Sequence, residues 1–232
     1  MKVVSFNTQH CLDYIEQKID FEKFAETVRN LNPDVIGLNE MRGEGIASDY
    51  TDQVKILSKL TGMKYYFFAP ALEITGKGPY GNGILSRIPI LKAEIISIPD
   101  PKVRKYKGYY ETRCILKAEL EGGVTVLVTH FGLNPDEQEN AVATVLANIS
   151  EKKCILMGDF NARPDNPVLE PIKGRLFDTA DKFDTEKLSF PSDVPDRKID
   201  YIFVTHDVKV INADIPPVVM SDHRPYVATL EL

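Results

Sequence analysis

The chain has no tryptophan, only three cysteines and little basic charge. It also lacks any apolar run approaching about 18 residues, which excludes a transmembrane helix. Cys11, Cys114 and Cys154 are odd in number and far apart. That excludes a zinc pattern and a disulfide framework, and points to free thiols in a reducing compartment, the cytoplasm. The start, MKVVSFNTQH, has no apolar stretch of signal length. There is no internal repeat and no low-complexity tract. With 28 basic against 34 acidic residues the net charge is −6. A strongly basic nucleic-acid footprint is therefore missing, although a local patch or a bound cation can offset local carboxylates.

What is present suits an enzyme-sized domain. The 232 residues are 43% hydrophobic and 27% charged. A chain of this length buries enough surface to fold without a disulfide or metal staple. Nothing resembles an interdomain linker, so residues 1–232 are expected to form one domain.

Short apolar runs alternate with amphipathic stretches. Strands are expected at Lys2–Phe6, Val35–Leu38, Lys64–Phe68, Gly83–Ser86, Ile90–Ile98, Arg113–Leu120, Val124–Thr129, Cys154–Met157, Ile199–Val204, Val208–Ile211 and Tyr226–Leu230. Phe21, Phe24, Ala25, Val28 and Leu31 have helical spacing behind Asp20, a capping residue, and Pro33 follows as a stop. Val54, Leu57 and Leu60 mark a second helix ending at Gly62. Asn134-Pro135-Asp136-Glu137 opens a third, expected to run to about Ser150. Arg163–Arg197 reads as loop with one short helix near Val168–Ile172. The pattern predicts an α/β fold: two β-sheets packed face to face, with helices on the outer faces.

Polar residues recur where these strands end. Asn7 follows the first, Glu40 the second, His130 the strand of Val124–Thr129, and Asp159 and Asn161 that of Cys154–Met157. Asp200 lies at the mouth of another, and Asp222 and His223 precede the last. Loops at strand ends are where such scaffolds display functional groups. Glu40 at the rim of a core suits Mg²⁺, which prefers oxygen ligands; alone it could equally face solvent. Asn7 is either a turn residue or an orienting group for Glu40 or a substrate oxygen. Asp159 and Asn161 form a tight turn, or point into one cleft where Asp159 activates water. Asp200 beside His223 would fix the imidazole tautomer and stabilise its charged form. Ser221 has no Gly-x-Ser-x-Gly elbow around it, which counts against a serine nucleophile.

Taken in order, Ser5-Phe6-Asn7, Leu38-Asn39-Glu40-Met41, Tyr80-Gly81-Asn82-Gly83-Ile84-Leu85-Ser86-Arg87, Val128-Thr129-His130, Gly158-Asp159-Phe160-Asn161, Arg197-Lys198-Ile199-Asp200-Tyr201 and Ser221-Asp222-His223-Arg224-Pro225 resemble the endonuclease/exonuclease/phosphatase superfamily. The resemblance spans essentially the whole chain. It implies the DNase I-like fold, a four-layer α/β sandwich, and metal-dependent hydrolysis of a phosphate ester. It implies Glu40 as the main Mg²⁺ or Mn²⁺ ligand, with Asn7 beside it and Asp222 helping to hold the metal region. Asp159 would position or deprotonate water. Asn161 and His130 would contact the phosphoryl group, and His223, backed by Asp200, would stabilise its charge.

Within the superfamily, abasic-site endonucleases typically carry Gln-Glu-Thr-Lys where this chain has Asn39-Glu40-Met41-Arg42. Gln9 stands where DNA-repair members often have a metal-linked Asp. Thr129-His130 looks more like the phosphatase, sphingomyelinase and small-substrate branches. The expected substrate is therefore a small or lipid-headgroup phosphate ester, monoester or diester; a DNA or RNA nuclease or repair phosphodiesterase is the alternative. Arg113 matches a position often basic in the phosphatase-like branches, where it reaches either the phosphate or a structural carboxylate. Lys102, Arg104, Lys105 and Lys107, interleaved with Tyr106, Tyr109 and Tyr110, read as a solvated loop or, more sharply, as a substrate-recognition loop.

Overall fold

A computed structural model describes residues 1–232. In chain order its elements are β1 (Lys2–Asn7), β2 (Leu12–Asp13), β3 (Lys18–Ile19), α1 (Phe21–Leu31), β4 (Val35–Arg42), α2 (Gln53–Thr61), β5 (Tyr65–Ile74), β6 (Gly78–Ser86) and β7 (Ile90–Ser97). They continue with β8 (Cys114–Leu120), β9 (Val124–His130), α3 (Pro135–Leu146), β10 (Cys154–Asp159), α4 (Glu170–Lys173), β11 (Phe177–Asp178), β12 (Asp200–Val204), β13 (Lys209–Asp214) and β14 (Tyr226–Glu231). One six-stranded sheet runs β13-β14-β1-β4-β6-β5 and the other β11-β12-β10-β9-β8-β7.

The alternation of side chains along each strand sorts the apolar residues into three cores. Val3, Val35, Ile84, Leu116, Val128, Met157 and Ile202 meet between the sheets. Their neighbours Val4, Ile36, Leu38 and Leu85 point outward and pack on Phe24 and Val28 of α1 and Val54 and Leu57 of α2. Leu127, Leu156 and Phe203 point outward from the second sheet onto Ala141 and Val145 of α3 and Ile172 of α4. Central strands covered on both faces read as unbroken apolar runs, which is why Val35–Leu38 and Cys154–Met157 carry no polar alternation. The four-layer α/β sandwich is thus present.

The helix boundaries follow their caps. Asp20 Oδ1 accepts the Lys23 N–H at 3.0 Å at the start of α1, and the Glu137 carboxylate accepts the Asn134 N–H at 3.1 Å at the start of α3. Helix α3 ends at Leu146 rather than near Ser150: just beyond it the Asn148 N–H bonds to the Val145 carbonyl at 2.9 Å, a tighter turn than the helical one. The Arg163–Arg197 stretch holds more order than expected: a 3₁₀ turn at Pro167–Leu169 leading into α4, the short β11 on the sheet edge, and a 3₁₀ turn at Thr179–Lys182.

Two features place the chemistry. Strands β1 and β4 are parallel, as are β9 and β10, so their carboxyl ends lie at one end of the sandwich. Asn7 is level with Asn39, His130 with Asp159, and Asp159 with Asp200 on antiparallel β12. Glu40 does not lie beyond its strand, as the apolar run suggested. It sits inside β4, where the pairing with β6 slips between Leu38 and Met41 and Glu40 takes a left-handed φ of 62°.

Gly158 precedes Asp159 with φ 147°, and a Cβ there would lie 1.8 Å from the Thr129 carbonyl oxygen of β9. Gly158→Ala is expected to destabilise the protein by about 3 kcal/mol. Urea unfolding followed by far-UV circular dichroism reads the difference.

Candidate active site

Asn7 is the centre of the site. Its side-chain NH₂ donates to Glu40 Oε1 at 3.1 Å and to Asp159 Oδ2 at 3.1 Å, so one buried amide of β1 ties a carboxylate of β4 to a carboxylate of the opposite sheet. Its Oδ1 accepts the Gln9 N–H at 3.2 Å. In this geometry Asn7 organises the two carboxylates from beside Glu40.

Asp159 is 2% exposed and also accepts the Asn161 N–H at 2.8 Å on Oδ1. Burial raises its carboxyl above the usual carboxylate range, against the opposing pull of His223 and of these two donors. His223 is held from behind by Asp200 Oδ2, 2.8 Å from Nδ1, and its Nε2 lies 3.6 Å from Asp159 Oδ2. Phe190 stacks at a tilt 4.7 Å from the ring. Burial alone would lower the His223 pKa. The surrounding carboxylates, Asp200 first, outweigh it and push the imidazole up to about 10. His223 is therefore an imidazolium at neutral pH.

His130 is the opposite case. Arg113 Nη1 lies 3.0 Å from its Nδ1. A guanidinium only donates, so Nδ1 accepts and the ring proton sits on Nε2. That edge faces Asp159 Oδ2 at 3.4 Å; the Asn161 amide nitrogen, 3.2 Å away, is itself a donor and is engaged by the Phe131 carbonyl at 3.0 Å. Burial, then the Arg113 charge, then the His223 charge hold His130 well below its usual pKa, so it is neutral. The site thus pairs one charged and one neutral histidine around a single carboxylate. Arg113 is turned to His130 and to Glu111, whose Oε1 is 2.5 Å from Nη1.

Asp222 lies on the far side of Glu40. Its Oδ1 accepts the Ser221 hydroxyl at 3.0 Å, and burial followed by the Glu40 charge raises its carboxyl, with His223 opposing. Glu40 and Asp222 are two oxygen donors whose charges act on each other, a donor set that fits a hard divalent cation. Asp159, Asp200 and His223 also place ligand atoms within 4.8 Å of one another. There the Nδ1–Oδ2 hydrogen bond already engages His223 and Asp200.

No side chain here is a nucleophile. The Ser221 hydroxyl is committed to Asp222. Cys11, Cys114 and Cys154 are buried, and burial pushes each thiol up, Cys154 to about 11 and Cys114 to about 12.

Sequence reasoning passed over Asn39, which is fully buried. Its NH₂ donates to Asn82 Oδ1 at 2.8 Å and to the Thr129 carbonyl at 2.9 Å, while its Oδ1 accepts the Asp159 N–H at 3.0 Å. Asn82 passes the link on to the Cys114 carbonyl at 3.0 Å. The signal was available: Asn is disfavoured in strands, and two of them inside β4 and β6 need buried partners.

A model of the Endonuclease/Exonuclease/phosphatase family matches residues 4–223, and the chain belongs to that family. Its members are hydrolases acting on phosphate esters. No curated protein matches the chain by sequence search. Among solved structures, an endonuclease/exonuclease/phosphatase from Beutenbergia cavernae superposes with a TM-score of 0.78 at 22% identity, covering 100% of this chain and 71% of that one. A mannosyl-6-phosphatase from Bacteroides thetaiotaomicron gives 0.77 at 17% identity, with 100% of both chains covered. A humanized D. rerio TDP2 gives 0.69 at 15% identity, covering 100% and 99%. At these identities the likeness carries the fold.

The charge on His223 yields a pH prediction. A group whose pKa is raised to about 10 keeps its proton through neutrality and loses it only as pH climbs through that value. Asp200→Asn removes the largest raising influence, so the alkaline limb of kcat/KM is expected to move down by at least about one pH unit. A pH–rate profile of both proteins checks it.

Proposed function

We propose that this chain is a divalent-metal-dependent hydrolase of a small or lipid-headgroup phosphate ester, folded as one domain. The reading rests on the bridge from Asn7 to Glu40 and Asp159, facing a carboxylate-backed imidazolium. Such a cleft has groups to aim water and to neutralise phosphoryl charge, and no covalent nucleophile. Phosphoryl transfer needs in-line positioning and charge compensation above all.

Each residue then has a task. Asp159 Oδ2, pinned by Asn7, holds the attacking water and takes its proton; its raised pKa suits a base working near neutral pH. His223 stays charged and sits against the phosphoryl oxygens, with Asp200 fixing its ring. His130, neutral with its proton on Nε2, donates to the phosphoryl group beside Asn161. Arg113 acts from behind by keeping His130 in that tautomer. Glu40 and Asp222 would hold Mg²⁺ or Mn²⁺, which when bound supplies Lewis-acid polarisation and a template for the phosphate.

The small-substrate reading is favoured by the net charge of −6. The similarity to a mannosyl-6-phosphatase fits it. The similarity to a TDP2 keeps a nuclease or repair phosphodiesterase as the second reading.

The test is hydrolysis of a chromogenic phosphodiester, a phosphomonoester, abasic duplex DNA and single-stranded DNA, each with Mg²⁺, Mn²⁺ or EDTA. Cleavage of the small esters, abolished by EDTA, is expected. Asp159→Asn should lower kcat by about 10²–10⁴-fold with an unchanged unfolding midpoint, and Glu40→Gln should raise the metal concentration needed for half-maximal rate. Preferential DNA cleavage would move the chain to the second reading, and turnover that survives EDTA would remove the metal.

A further inference from the structure

The connection between β7 and β8 is unlike the rest of the surface. Residues 102–109 are exposed without interruption. They include four cations, Lys102, Arg104, Lys105 and Lys107, and no acid, in a chain whose acidic residues outnumber its basic ones. Three large apolar side chains stand among them: Val103 is 71% exposed, Tyr106 47% and Tyr109 68%. Three of the chain's twelve exposed large apolar side chains thus fall within these eight residues.

The loop is also held in place. The Asp136 carboxylate, at the start of α3, accepts the Tyr110 hydroxyl at 2.9 Å and the Lys105 N–H at 3.3 Å. The Tyr110 hydroxyl accepts the Tyr106 N–H at 3.0 Å, and the Arg104 guanidinium lies over the Tyr110 ring, 5.0 Å from its centroid. Asn134 Nδ2 donates to the Tyr109 carbonyl at 2.9 Å. These contacts tie the backbone from beneath and leave Lys102, Val103, Tyr106 and Lys107 pointing outward with no polar side-chain partner. Three residues past the clamp, Arg113 meets His130, so the projection stands at the rim of the cleft.

We propose that loop 102–109 docks the protein on an anionic phospholipid surface. Cations favour the negative headgroup layer, and tyrosine rings with an adjacent aliphatic side chain fit the boundary between headgroups and acyl chains. Every residue from 102 to 109 is exposed, whereas a site for one small anion is concave. Val103 has no π-face for a base to stack on. A lamellar surface touches the projection alone. Docked this way, the cleft mouth faces the lipid layer, which deepens the phosphate-ester reading above and rests on it for the headgroup as substrate.

The test is co-sedimentation with vesicles of phosphatidylcholine alone or with roughly 30 mol% phosphatidylserine. The wild-type protein is expected to pellet with the anionic vesicles, to be released by salt and to stay in solution with phosphatidylcholine alone. Lys102→Glu/Lys107→Glu should weaken pelleting by at least about tenfold, and Val103→Ser/Tyr106→Ser should weaken it without altering net charge. Both should keep the wild-type unfolding midpoint and rate on a soluble chromogenic ester. Equal pelleting with both vesicle types, or variants that pellet like the wild type, overturns the proposal, as does displacement from anionic vesicles by a single-stranded oligonucleotide at lower concentration than the lipid. Sedimentation needs no turnover, so Asp159→Asn is run alongside. Its docking stands apart from whether the cleft hydrolyses any given ester.

Discussion

A buried amide of β4, Asn39, fixes where the two sheets stand relative to each other. Apolar packing between sheets is non-directional and tolerates sliding. Hydrogen bonds from Asn39 to Asn82, to the Thr129 carbonyl and from the Asp159 N–H do not. Each of these groups is buried, so a slip of the sheets would leave several polar atoms unpaired in a low-dielectric interior, at about 1–3 kcal/mol apiece. Asn7, one strand away and level with Asn39, repeats the device at the mouth with carboxylates as partners. The register of the sandwich and the spacing of Glu40 from Asp159 are thus set by the same kind of bond.

Backbone strain concentrates at the same end. Glu40 and Asn161 both hold left-handed φ angles, 62° and 48°, and Gln9, His10 and Cys11 form a consecutive left-handed run just after Asn7. Non-glycine residues adopt such angles at a cost, and only where surroundings over-determine them. Here the surroundings are visible. The slipped pairing of β4 with β6 frees Glu40 from the ladder, and Asp159 Oδ1 captures the Asn161 N–H. Gln53 holds the run beyond Asn7 by donating to the His10 carbonyl at 3.0 Å.

Most of the fold was legible because its strands are apolar runs punctuated by Gly and Pro and its helices carry their own caps, as Asp20 and Asn134 do. The polar residues at strand ends were legible for the same reason: an Asp or His closing a buried run has few structural uses. What was not legible depends on register. Nothing in Leu38-Asn39-Glu40-Met41 announces a bulge, since an irregularity in pairing is a property of two strands together. The partner of Arg113 could not be read either. Whether a cation reaches a phosphate, a carboxylate or an imidazole is decided by a few ångströms of packing, and here it meets Glu111 and His130. The short β11 is two residues long and carries no periodicity to find.

The strand order has a consequence for how the protein is made. Strand β14 is synthesised after all the other strands, yet it lies beside β1, the first, and separates it from the edge strand β13. His223 sits in the turn leading into it, more than 200 residues downstream of Asn7. On the ribosome, the cleft therefore stays incomplete while Glu40, His130 and Asp159 are already outside the tunnel. Until β14 docks, β1 is an edge of its sheet, and long-range pairings of this kind form slowly. His223 is accordingly brought to Asn7 and Asp159 only after every other strand of the two sheets has been made.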